Sequence, residues 1–164
     1  MTGWSVAGLV ILQSGLPMTL TDPNGGAVFG RAGSSTITMC PAATYADLST
    51  AGSVSRRMGS WIDTSAICPA PVRGSDGATG YGNAGLSVMN GPGQVNADFS
   101  VAKRTRVGGI RDEAELLFRA EFYNALNHAQ FSNPGTTFRT ANFGVITQTA
   151  VAPRLIQFGL KYLF

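Results

Sequence analysis

Apolar and polar residues alternate along four separate stretches of this 164-residue chain. At the C-terminus Ile156, Phe158, Leu160, Tyr162 and Phe164 share one face. Gln157, Gly159 and Lys161 share the other, with Leu155 and Leu163 as exceptions. Side chains point to opposite sides of a strand at successive residues, so this pattern predicts a strand with one apolar face. Leu116, Phe118, Ala120 and Phe122 repeat it against Arg119, Glu121 and Tyr123. Val95, Ala97, Phe99 and Val101 do so against Asn96, Asp98 and Ser100, in a stretch running on through Arg104 and Arg106. The first stretch, Trp4 to Gln13, is apolar on both sides apart from Ser5 and Gln13. Its β-branched content and the break at Gly15–Leu16–Pro17 make it a strand without telling one face from the other. Met18 to Thr21 extends it past that break in this reading. The predicted strands are 3–21, 94–107, 114–127 and 153–164. The fold class is all-β, an antiparallel meander of about four strands.

The connections are unequal. A tight turn around Gly108, Gly109 and Asp112 joins the second and third strands, and about 26 residues containing Asn133–Pro134–Gly135 join the third and fourth. The first two are separated by a loop over 22–93, rich in Gly, Ser, Pro and Thr. Long loop, short turn, long loop is the layout of an outer-membrane barrel, with short turns on the periplasmic side and long loops outside. Strand lengths of 10 to 13 residues suit a tilted crossing of the hydrocarbon layer. The apolar face toward lipid comprises Val95, Ala97, Phe99, Val101, Leu116, Phe118, Phe122, Ile156, Phe158 and Leu160.

Composition agrees with that layout. Only 13% of residues are charged, about half the usual share, while 44% are hydrophobic, which excludes a chain disordered throughout. The 21 glycines and 8 prolines argue against a helical domain. The longest apolar run, Val6 to Leu12, is far short of the ~20 residues of a membrane-spanning helix. No signal peptide opens the chain, so a secreted form requires sequence upstream of Met1. A net charge of +3, without a basic cluster larger than Lys103, Arg104 and Arg106, gives no reason to expect a nucleic-acid partner.

Few residues invite chemistry. Gly80 to Gly85 fits GxGxxG, but no strand precedes it and no helix pattern follows, so it is no dinucleotide fingerprint. His128, the sole histidine, has no Ser or Asp at a catalytic spacing, and no nucleophile elbow, P-loop or paired-carboxylate motif occurs. The expectation is a protein that is not an enzyme, with no catalytic residue, cofactor or metal site. Cys40 and Cys68 lack further Cys or His at ligand spacing. They are a possible disulfide closing a loop of about 28 residues, worth roughly 3.5 kcal/mol in chain entropy, or else free thiols. An extracellular loop favours the disulfide. Asp98, Arg119, Glu121 and Lys161 are the candidate lumen-facing polar residues, Arg119 and Glu121 pairing with each other and with Lys161 or Asp98.

The ending Gln157–Phe158–Gly159–Leu160–Lys161–Tyr162–Leu163–Phe164 resembles the C-terminal assembly signal of bacterial outer-membrane barrels. Gln157, Gly159, Tyr162 and Phe164 carry that resemblance. It implies recognition by the barrel assembly machinery, with Tyr162 and Phe164 at the periplasmic aromatic girdle. Arg119–Ala120–Glu121–Phe122–Tyr123–Asn124–Ala125–Leu126–Asn127–His128, then Phe131 and Asn133–Pro134, resembles the penultimate-strand motif of TonB-dependent outer-membrane receptors. The likeness is to the Oar-like kind with a carboxypeptidase-regulatory-like domain. Phe143 to Thr147, Pro153–Arg154, Gly3 to Pro17 and Gly91 to Phe99 resemble other parts of the same ending, which leaves out only the loop from about Pro23 to Ala84.

This resemblance implies a C-terminal fragment in the bacterial outer membrane, holding the last strands of a 22-stranded transmembrane β-barrel. Its plug, TonB-contacting box and other strands would lie outside this chain. The implied partners are outer-membrane lipid, the TonB energy-transducing complex by way of the plug, the assembly machinery and an unknown extracellular small ligand. The implied role is the wall and outer loops of an importer of a scarce bulky nutrient (a siderophore, glycan or peptide), with residues 23–93 facing the ligand. A non-transporting structural or adhesive barrel has the same pattern, and a secreted β-sandwich is a third possibility.

Overall fold

The computed structural model describes residues 2–30, 35–108 and 114–164. The chain divides into two compact units. One comprises Met1–Gln13, Gln94–Gln130 and Thr149–Phe164, and the other Ser14–Gly93 and Phe131–Gln148.

The first unit is a four-stranded sheet of β1 (Trp4–Gln13), β2 (Gln94–Arg106), β3 (Glu115–Tyr123) and β4 (Leu155–Leu163), in that spatial order. Each strand is antiparallel to its neighbour. Directly paired residues share a face, and a slip of one residue would exchange the faces. Val10 pairs with Ala97, Gly8 with Phe99 and Val6 with Val101. Phe99 in turn pairs with Phe122, and Val101 with Ala120. Phe122, Ala120 and Phe118 pair with Ile156, Phe158 and Leu160. One face is therefore apolar across all four strands apart from Lys103, which lies between Trp4 and Phe118. The opposite face carries Asn96, Asp98, Ser100, Arg104, Arg119, Glu121, Gln157 and Lys161. The register also assigns the first strand: Trp4, Val6, Gly8, Val10 and Leu12 lie on the apolar face.

Two strands stop well short of the sequence expectation, and the other ends lie within two residues of it. β1 stops at Gln13 rather than Thr21. A side chain at Gly15 would strike the backbone of Gly91, and the residues beyond leave the sheet for other partners: Pro17–Met18 pairs with Met89–Asn90, and Thr21–Asp22 with Ser35–Thr36. β3 stops at Tyr123 rather than 127 because Asn124 and Asn127 have φ of 47° and 50°. That left-handed conformation breaks an extended chain, and Asn tolerates it better than most residues. β4 covers Leu155–Leu163 within the expected 153–164. Of the predicted tight turn, Gly108 has a positive φ of 58°, whereas Gly109 and Asp112 lie outside the described residues.

The second unit corrects the picture of one long loop over 22–93. It begins at Ser14 and takes in the connection between β3 and β4 as well. Leu20, Ile37 and Leu48 are wholly buried, packed with Met18, Met39, Trp61, Ile62, Ile67, Met89 and Ile146. Phe131, Phe138 and Phe143 from the later connection pack against that core. Backbone bonds tie the two segments: Thr21 N donates to Thr136 O at 3.0 Å, Trp61 N to Gly144 O at 2.7 Å and Ile146 N to Met58 O at 2.8 Å. Cys40 and Cys68 are joined by a disulfide beside the pairing of Thr38–Met39 with Ile67–Cys68. The order of the strands makes both long connections leave the same end of the sheet, the end opposite the short turn.

Candidate functional site

The apolar face has no protein layer over much of its area. Phe158 is 70% exposed, Leu160 68%, Val6 73% and Leu12 74%. Burying such a side chain is worth about 1.5–3 kcal/mol, so a contiguous face of this kind is matched to an apolar surrounding. Aromatic rings mark its turn end. Trp4 lies on β1, while Tyr162 and Phe164 stack with centroids 5.9 Å apart at the end of β4. That is the position of an interfacial girdle.

The polar face holds the four predicted lumen residues but joins only two of them. Arg119 Nη1 is 3.2 Å from Glu121 Oε1. Glu121 Oε2 accepts hydrogen bonds from the Gln157 side chain and, at 3.3 Å, from the Tyr123 hydroxyl. Asp98 and Lys161 do not join this pair, contrary to expectation. Asp98 Oδ1 accepts from the Asn124 backbone N–H at 2.8 Å and from Asn96 at 3.2 Å. Lys161 enters no ion pair among the described residues, because the register puts Leu117 opposite it. Gly159 pairs with Arg119, and a Cβ there would meet open space, so packing in this sheet does not demand glycine.

Asp98, Asn124, Asn127 and Gln130 form a border at the loop end of the sheet, which the alternation of apolar and polar positions does not mark. The left-handed turn at Asn124 aims its carboxamide at three groups. It accepts from His128 N at 3.0 Å and donates to the carbonyls of His128 and Ala152, each at 3.2 Å. Asn127 Oδ1 accepts from Arg154 N at 3.2 Å. Gln130 is buried; its Oε1 accepts from Val95 N at 2.8 Å, and its Nε2 donates to Val95 O. A side-chain amide thus offers Val95 the donor and acceptor that a strand neighbour would offer. His128 is exposed, and its ring Nδ1 lies 2.9 Å from Gln130 Nε2.

The second unit is held by packing and caps. The Arg57 guanidinium sits 3.8 Å over the Trp61 ring, whose Nε1 donates to Asn90 O at 3.2 Å. Buried Asp22 meets Arg139 Nε at 3.4 Å and accepts from Asn24 N at 2.9 Å. Asp47 accepts from the Thr44 backbone N–H and hydroxyl, and those bonds hold its carboxyl below the usual range. Asp63 is likewise held low by its hydrogen bonds from Ser65, against smaller upward pushes from desolvation and from the charge of Asp47. Phe29 and Tyr81 stack with centroids 4.7 Å apart and stay exposed.

A one-sided apolar sheet with an aromatic rim at its turn end and both long connections at the other is the plan of a membrane barrel wall. The family model of the outer membrane beta barrel domain matches residues 1–157. The chain belongs to that family. No curated protein and no solved structure matches it. As an outer membrane β-barrel domain it resides in the bacterial outer membrane. The apolar face of its sheet suits a lipid side, and the Arg119–Glu121 face suits an interior.

Proposed function

We propose that this β-barrel domain forms part of the wall and the outer, ligand-facing portion of a TonB-dependent receptor that imports a scarce bulky nutrient. The observation that carries the reading is the second unit. Residues 14–93 and 131–148, the two long connections of the sheet, build one packed body, and Cys40–Cys68 cross-links the first of them. Connections with a core of their own present a fixed surface, which suits selection of a large ligand better than loose loops do. The resemblance of Arg119 to His128 and of the C-terminal strand to TonB-dependent receptors supports the rest. In this reading the complete barrel has 22 strands, and Gln157, Gly159, Tyr162 and Phe164 are read by the assembly machinery. TonB drives transport through a plug, and no residue here does covalent chemistry.

The test is growth and radiolabelled uptake on siderophores, glycans and peptides, in strains lacking this chain or lacking TonB. Loss of uptake of the same nutrient in both strains is the expected result. Full uptake of every nutrient, with loss of surface attachment instead, would mean a structural or adhesive barrel.

A further inference from the structure

Lys103 is the one charged residue among the described residues on the lipid face of the sheet. It lies on β2 between Trp4 on β1 and Phe118 on β3, three residues before the turn end of its strand. A lysine among apolar neighbours at this depth must bring its ammonium to a polar layer. The side chain does so in the direction of the turn end. Nζ passes 5.0 Å from the centroid of the Trp4 ring and donates to the Thr2 carbonyl at 2.8 Å. One of its three protons is used in that bond, which leaves two donors without a hydrogen-bond partner among the described residues. The neighbouring cations differ in placement. Arg104 and Arg106 are on the interior or its edge and share Glu115, at 3.5 and 3.9 Å.

We propose that Lys103, with Trp4 and the Thr2 carbonyl, forms a seat for the phosphate of an anionic phospholipid in the leaflet at the turn end. The ammonium supplies the charge-assisted donors for the phosphate oxygens. Trp4 sets the depth of the headgroup, and the apolar strip of Val6, Val101 and Phe118 lies along the acyl chains. The occupant must be amphiphilic, because the cation opens onto the lipid face and not onto the interior. The inference rests on assigning the apolar face to lipid.

The test uses the protein extracted in mild detergent from the outer-membrane fraction and exposed to equal parts phosphatidylglycerol and phosphatidylcholine. Native mass spectrometry then counts the lipids retained. Wild type and Lys103→Arg are expected to retain phosphatidylglycerol preferentially. Lys103→Gln is expected to retain about fivefold less, the factor one near-surface lysine supplies. Arg104→Gln, on the opposite face, is expected to match wild type. Wild-type retention should fall as salt rises and should resist excess inorganic phosphate. Equal retention by Lys103→Gln, salt-independent retention by wild type, or displacement by inorganic phosphate each overturns the seat alone. Absence of the wild-type chain from the outer-membrane fraction overturns the lipid face itself and the seat with it.

Discussion

The ring of Phe99 lies over Gly8 on the adjacent strand, so that a Cβ built on Gly8 would sit 2.9 Å from the ring's Cδ1. The glycine lets an aromatic side chain cover bare backbone on the apolar face. Gly8→Ala forces the ring aside. A loss of about 1–3 kcal/mol is expected, the usual range for overpacking. Urea unfolding of the protein in detergent micelles checks it, and Gly8→Ala with Phe99→Ala should recover part of the loss.

Charge on the two faces should have unequal effects. Phe158→Arg places a cation against lipid at a position that is 70% exposed. Its cost is about 2–4 kcal/mol near the bilayer midplane. Ser100→Arg is on the interior face, opposite Glu121, and should be tolerated. Outer-membrane fractionation distinguishes them: Phe158→Arg is depleted, and Ser100→Arg is recovered at the wild-type level.

Gln130 should matter more than its place outside any strand suggests. Gln130→Leu leaves the N–H and C=O of Val95 without their partner and should cost about 1–3 kcal/mol, as orphaned backbone groups do. Hydrogen exchange at Val95 reads the change directly. Fast exchange there, with slow exchange kept at Val101, is the expected pattern.

Reduction of Cys40–Cys68 should loosen the second unit. By chain entropy the loop of 28 residues accounts for about 3.5 kcal/mol. Cys40→Ser with Cys68→Ser should increase proteolytic cutting within 41–67 and leave the sheet intact.

Acid should act on the same unit. Asp47 and Asp63 are held below their ordinary values by bonds from Thr44 and Ser65. A carboxylate depressed on folding stabilises above its unfolded value and loses that contribution as pH falls through the folded value. The unit should therefore weaken as pH drops through and below the ordinary carboxylate range, and Asp47→Asn with Asp63→Asn should flatten the dependence. Trp61 fluorescence follows it, since that ring lies in the core.

The strands were legible because period two is a local property. Ile156 to Phe164 announces both a strand and its apolar face without reference to any other residue. On β1 both faces are apolar, so only pairing with Val95 to Val101 could tell them apart. The second unit escaped for a different reason. Its core residues Leu20, Ile37, Leu48 and Trp61 come from separate short segments whose extended pairs are two residues long, so no window of sequence contains a period. The border at Asn124 and Gln130 escaped because its hydrogen bonds belong to side chains. Asn–Ala–Leu–Asn reads equally well as more strand until the left-handed φ at both asparagines is known.

The pairing of Gln130 with Val95 also separates two kinds of evolutionary freedom. The sheet finishes its outer margin with its own amides: Gln130 on Val95, Asn124 on His128 and Ala152, and Asn127 on Arg154. The residues that would face a ligand contribute none of these bonds. The second unit can be rewritten in sequence without the margin of the sheet having to change with it.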